Sequence, residues 1–270
     1  MRKRLVVGLI VAVAIPLLAG PLVVAQTQGG GGNPAGVLGP VNALGQEVQR
    51  PPAPTGPPPR LPDGTIDLGD GIWVYSPFGA DIGLGLKPGE VLPLLPSAKA
   101  LMAALKPEDD PPNWCLPLGV LRSSPYPFRF IQNYTHKKPT HLYILSEWMR
   151  MYRQVFMDGR THPPELDPTW FGHSIGWYEN DALVIDTVGF NDKFWFDRRG
   201  TPHTERLHTI ERWRRVDAGH LVHEVTLDDP GAFSQPFTVT FQATLSNPGD
   251  ELIEYICQEN NQYGFASGVR

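Results

Sequence analysis

The 270-residue chain predicts a mainly β protein, an antiparallel meander closed as a lipocalin-like barrel. A two-sheet sandwich is the second choice. Three observations lead there. From Phe128 onward, short runs rich in apolar and β-branched residues follow one another at close spacing. Turn signals separate them at Asp158-Gly159, Asn180-Asp181, Asp217-Ala218-Gly219 and Asn247-Pro248-Gly249-Asp250. Only one stretch of the domain, upstream of these runs, carries a convincing helical pattern. Sequential strands joined by short turns favour a meander, and closing it removes exposed edges.

Ile72–Tyr75 is the first strand candidate. Ser97–Lys106 is the helix: Ser97 is a capping residue type, Ala, Leu and Met fill the turns, and Pro107 ends it. Strands are predicted over Phe128–Tyr134, His141–Trp148, Met151–Met157, His173–Glu179 and Ala182–Val188. Four more are predicted over Leu207–Val216, Leu221–Leu227, Phe237–Leu245 and Leu252–Gln258. Asn180-Asp181 suits a two-residue hairpin turn. That turn sets Glu179 opposite Ala182, Trp177 opposite Val184 and Ile175 opposite Asp186.

Ahead of the domain lie two segments of different character. Arg2, Lys3 and Arg4 precede Leu5–Ala25, a run of 21 uncharged residues. Gly20-Pro21 followed by Val23-Val24-Ala25 has the look of a signal-peptide cleavage region. The run is also long enough to cross a hydrocarbon core of about 30 Å. Residues 1–26 are thus a signal peptide or an inner-membrane anchor. Either way the rest of the chain is expected outside the cytoplasm, in the periplasm, because the basic cluster stays inside. Residues 27–60 hold Gly29–Gly32 and the proline run Pro51–Pro59, a linker with a flexible and a semi-rigid half. Residues 61–270 form the β-barrel-like extracytoplasmic domain.

The net charge is −5, and removing the three N-terminal basic residues leaves −5 − 3 = −8. An acidic domain is a poor nucleic-acid binder, which needs a basic patch. Cys115 and Cys257 are the two cysteines, and an exported chain favours their pairing as a disulfide. Such a bond closes a loop that chain-entropy models value at about 4–5 kcal/mol.

Three stretches carry a resemblance. They are Pro168–Trp177 with Tyr178 and Glu179 following, Ile185–Asp192, and Pro202–Arg212. The chain resembles a large group of secreted bacterial all-β proteins that share Pro-Thr-Trp-x-Gly-x-Ser-Ile-Gly-x-Trp, Val-Asp-Thr-x-Gly-Phe-Asn-Asp and Pro-His-x-Glu-x-Leu-His-x-x-Glu-Arg. The resemblance spans roughly Trp114–Asn260. It implies an extracytoplasmic all-β domain and brings no chemistry with it.

The residues offer several candidate sites. His203, Glu205 and His208 have the side chains of a zinc or acid–base centre. On a strand, however, 203 and 205 share one face and 208 the other, so convergence needs a bulge near Arg206. The other reading is a loop histidine capping a turn and a strand histidine in a salt-linked network, and no metal is assigned. Asp186 falls on an apolar face with Ile175, Trp177 and Val184, where a carboxyl needs a partner or a proton. Arg212 and Arg214 are its expected partners, and general acid–base work is the sharper alternative. Trp170, Phe171, Phe190, Phe194, Trp195 and Phe196 are a barrel plug or, if exposed, a binding surface.

No Gly-x-Ser-x-Gly elbow, phosphate loop, haem motif or EF-hand appears, and no cofactor is assigned. The first expectation is therefore an accessory or binding subunit docking to a protein partner in or at the membrane. Respiratory or photosynthetic assemblies are conceivable hosts. The alternative is a secreted hydrolase or lyase using Asp186, His203, Glu205 and His208 on a small ligand.

Overall fold

A computed structural model of the chain describes residues 52–69, 71–75, 81–122, 126–135 and 138–260. The predicted signal peptide or anchor lies outside the described residues, and no helix among them is long and apolar enough to cross a membrane.

Nine strands close into a barrel in sequence order, β1 to β9. They are β1 (Trp73–Tyr75), β2 (Phe128–Thr135), β3 (Lys138–Ser146), β4 (Tyr152–Phe156) and β5 (His173–Glu179). The set continues with β6 (Ala182–Val188), β7 (His208–Arg215), β8 (His220–Asp228) and β9 (Phe237–Leu245). Closure comes from β1 against β9, with Trp73, Val74 and Tyr75 opposite Leu245, Thr244 and Ala243. The β5–β6 hairpin has the register its two-residue turn dictates, including Ile175 opposite Asp186. Asn180 and Asp181 both take positive φ, as such a turn requires.

One pairing departs from a pure antiparallel meander. β4 and β5 run parallel, joined through Val155↔Ser174 and Phe156↔Ile175. The chain returns between them by an irregular crossover, residues 157–172, which contains Pro163, Pro164 and Pro168 and no helix. Parallel neighbours need such a long connection. Tyr152, Arg153 and Gln154 pair with β3 but not with β5, so the wall has a seam there.

Two apolar clusters fill the molecule. Inside the barrel, Trp73, Tyr75, Phe128, Phe130, Leu183 and Trp213 pack with other inward residues. At one end, Phe190, Phe194, Phe196, Leu227 and Phe233 pack with Ile82, Ala98 and Val120. The latter three come from the long β1–β2 connection, which forms a cap. It carries α1 (Pro96–Ala104) and α2 (Gly119–Arg122). Pro96 sits at the first turn of α1 and Leu95 is its N-cap, so Ser97 is inside the helix rather than capping it.

Leu252–Gln258 is not a strand. Residues 251–256 are irregular and α3 (Cys257–Asn260) follows. The edge of β9 that a tenth strand would need is already taken by β1. The segment is held by side chains instead. The Ile253 amide donates to the Glu147 carboxylate at 3.2 Å, and Tyr255 stacks on Trp148 at 4.8 Å. Cys257 is bonded to Cys115, with Cα atoms 5.7 Å apart. Such a bond is typical of proteins from oxidising compartments.

The proline run touches the barrel as well. The Ala218 amide donates to Gly56 O at 3.0 Å and the Asp67 amide to Pro59 O at 3.0 Å. Arg60 pairs with Asp181 through both carboxylate oxygens. The domain thus starts a few residues before Leu61.

Candidate functional site

The seam between β4 and β5 brings together most of the polar chemistry. On the inner side, Arg153 of β4 is buried because 153 and 155 point inward while Tyr152 and Phe156 point out. Its guanidinium is 2.7 Å from Glu211 of β7, which is fully buried. It also donates to Ser174 Oγ at 3.1 Å and to Thr187 Oγ1 at 2.6 Å. Glu211 continues the chain of contacts. His223 Nε2 lies 3.1 Å from it and Tyr75 Oη lies 2.7 Å from His223 Nδ1. His223 also stacks on Trp213 at 3.5 Å.

Burial alone would raise the Glu211 carboxyl, but Arg153 and His223 outweigh it and hold it below the ordinary carboxylate range. Burial pushes the His223 imidazole down. The space beside this network is small. A cavity of about 30 Å³ lies between Phe128, Ile144, Phe171, Trp213 and the Arg153–Glu211 pair. That is room for one or two waters rather than an organic ligand. Beside this ion pair the barrel is packed by Phe128, Phe130 and Trp213.

The outer side of the seam is more open. A groove of about 280 Å³ is lined by Arg153, Gln154, Phe156, Asp167, Phe171 and His173, among others. His173 opens β5 and points outward, stacked on Phe156 at 5.0 Å. Its Nδ1 lies 2.8 Å from Nδ1 of His162, a residue of the crossover. His162 Nε2 lies 3.2 Å from Asp186 Oδ1, and His208 Nε2 lies 2.8 Å from the same oxygen. Four side chains from the crossover, β5, β6 and β7 thereby form one file: His173, His162, Asp186, His208. Burial, His162 and Arg160 together push the His173 imidazole down. Its Nε2 has no hydrogen-bond partner among the described residues.

Two structural features fix this arrangement. The parallel bridge Thr169↔Phe190 ties the crossover to the end of β6, with hydrogen bonds of 3.0 and 2.8 Å across it. Gly172 turns the chain into β5 at φ +63°, and a Cβ there would lie 2.6 Å from Val188 O. The Pro-Thr-Trp-Phe-Gly and Gly-Phe-Asn motif segments are therefore mutual contacts, and their role here is architectural.

The sequence-based candidates separate. Asp186 lies opposite Ile175 as expected, but the face it shares with Ile175, Trp177 and Val184 is the outer one, where Trp177 is exposed, and its partners are His208 and His162. Arg212 and Arg214 pair instead with Glu179 and Glu224, each at 2.7 Å. His208 joins Asp186, whereas His203 is buried against Phe194 and Phe196 with ring centroids 3.9 and 5.0 Å away. Burial pushes the His203 imidazole down. Glu205 is exposed in the turn before β7. The three do not form one centre, and no group of three or more His, Cys, Asp or Glu among the described residues has the geometry to hold a metal.

The aromatic set is corrected likewise. Phe190, Phe194, Trp195 and Phe196 are buried, and Trp170 and Phe171 pack half-buried against the same cluster. Phe190, Phe194 and Phe196 plug the barrel end, whereas Phe171 also lines the seam groove.

His162 and His173 were not among the sequence candidates. Their only local signal is a histidine at the first position of a strand and another in a proline-flanked loop. It takes the parallel crossover to place them together.

The exposed apolar surface lies elsewhere. Of the ten large apolar side chains exposed among the described residues, five belong to the β1–β2 cap: Leu84, Val91, Leu101, Trp114 and Leu116. Val91 is 81% exposed and Trp114 49%. In α1 only Ala98 is buried, and Ala100, Leu101, Ala103 and Ala104 face solvent.

No protein-family model, curated protein or solved structure matches this chain.

Proposed function

We propose that the protein is an extracytoplasmic accessory subunit of the secreted all-β group its motifs resemble. Its N-terminal apolar run holds it at a membrane, and its β1–β2 cap docks onto a protein partner there. The observation that carries this is the cap. A nine-residue helix with one buried residue contributes little to the barrel's own core. Exposed Leu, Val and Trp side chains concentrated in one connection suit a protein contact. The cavity beside the Arg153–Glu211 pair is too small for an organic ligand. The disulfide and the Leu5–Ala25 run are consistent with a periplasmic setting.

The test is purification of the full-length protein from native membranes. Wild type should co-purify with a partner, and Leu101→Glu with Trp114→Glu should lose that partner while keeping the barrel's thermal unfolding. Recovery of the wild type without a stable partner contradicts the reading, as does binding to protein-free lipid vesicles that accounts for all attachment.

A second reading rests on the seam groove. His173, held by His162, which is in turn bonded to Asp186, has its Nε2 open to the groove and the placement of a general base for a hydrolase or lyase. Turnover of a small ester or lactone panel by the purified domain, abolished in His173→Gln, supports it. Absence of turnover removes it.

A further inference from the structure

We infer that the His162–His173 contact is an acid-released latch that holds the 158–165 part of the crossover against His173, at the edge of the groove at the β4–β5 seam. The inference stands on geometry and is independent of either functional reading.

The two Nδ1 atoms are 2.8 Å apart, so one must donate and the other accept. Asp186 Oδ1 accepts from His162 Nε2, which leaves His162 Nδ1 as the acceptor when both rings are neutral. His173 then carries its proton on Nδ1 and shows a bare Nε2 to the groove. One added proton is tolerated. If it goes to His162, which lies beside the carboxylate, His173 switches tautomer and becomes the acceptor. A second proton is not tolerated, because two Nδ1–H groups then face each other at hydrogen-bond distance. The contact must open, and the mobile side of it is the crossover, since His173 is fixed in β5 by its ladder to β6.

The charged surroundings act in the same direction. Asp186 holds two imidazoles at one oxygen, His162 at 3.2 Å and His208 at 2.8 Å. Two imidazolium rings there set two positive charges against one carboxylate. Within the crossover, Arg160 is paired with Asp158 and sits over the Phe156 ring at 3.9 Å, adding positive charge near His173. Glu165 and Asp167 of the same segment are exposed. From β3, His141 packs on Phe156 at 5.3 Å and contributes a further titratable ring. Burial, His162 and Arg160 all disfavour protonation of His173, so the second proton enters below the ordinary imidazole range.

Release has a defined reach. Beyond His162, the crossover is anchored by the Thr169↔Phe190 bridge and by Leu166 under Gly189. The freed part is therefore Asp158 to Glu165, the portion that carries Arg160 and His162. Its departure uncovers His173, while the crossover residues that line the groove, from Leu166 to Gly172, stay in place.

Limited proteolysis with papain, which cleaves across this pH range, tests the latch, its rate of nicking within residues 158–165 being normalised to that of an unfolded peptide of the same sequence. In the wild type, the normalised rate should rise about tenfold or more between about pH 7 and pH 5, while β7 and β8 stay uncut. In His162→Gln, which can bond both neighbours without titrating, the rise should disappear. His173→Gln serves the same purpose if the first variant fails to fold. His220→Gln, at the distant β7–β8 turn, should leave the rise in place. Equal rates at both pH values in the wild type overturn the inference, and so does a rise of the same size in the glutamine variants.

Discussion

Arg153 points into the barrel with Glu211 on one side and the hydroxyls of Ser174 and Thr187 on the other. Removing one member of a buried pair strands the other, a cost of about 3–5 kcal/mol. Arg153→Met should lower the urea-unfolding free energy by that amount near neutral pH. The pH dependence carries the sign. In the wild type, Glu211 titrates below its ordinary value of 4.5, so its contribution is present above that value and is lost as pH falls through the depressed one. In Arg153→Met the carboxyl is buried without its cation and titrates higher, so protonation relieves the cost. The gap between the two proteins should narrow in acid, and a constant gap from neutral to acid pH contradicts this account. Gly172 gives a second test at the same scale. Gly172→Ala meets Val188 O at 2.6 Å and keeps a positive φ, so thermal unfolding should shift down measurably.

At the scale of elements, what the sequence could reveal was what short-range geometry controls. The Asn180-Asp181 turn fixed the β5–β6 register, and with it the position of Asp186, because a two-residue hairpin allows one opposition of partners. The partners of Asp186 were not legible. His208 reaches it diagonally across the β6–β7 ladder, where Asp186 faces Ile210. His162 arrives by a crossover whose parallel docking has no local signature. Leu252–Gln258 misled for a related reason. Its run of apolar residues suits a strand, but the barrel closes through Trp73–Tyr75, and the segment is held by Glu147, Trp148 and the disulfide. The tether itself is open to measurement. The bond spans a sequence separation of 142 residues. Reduction, or replacing Cys115 and Cys257 with Ala, should cost up to about 4–5 kcal/mol, less any native-state strain. Denaturant unfolding with and without reductant reads that difference, and no difference would mean the tail contributes little to the folded barrel.

Across the whole molecule, the described residues divide into a packed barrel, an outer groove and an apolar cap. Arg153 and Glu211 pair within the barrel wall, whereas the cap carries half of the exposed large apolar side chains among the described residues. The proline run adds a constraint on experiments. Because Gly56 O, Pro59 O and Arg60 all bond the barrel, a truncation that keeps the fold should start at Pro52 and not after Arg60. That truncated domain should unfold with the same cooperativity as the full chain, since no described contact is lost.

The most direct measurement of the docking account follows from the same division. Full-length protein, the domain beginning at Pro52, and full-length Leu101→Glu/Trp114→Glu are purified in parallel from native membranes, and their bound proteins are quantified. The account predicts a partner with the full chain. It predicts weaker capture by the truncated domain, which lacks the effective concentration an anchor provides. It predicts none with the cap variant, whose barrel still unfolds cooperatively. Undiminished partner capture by the cap variant would contradict the account.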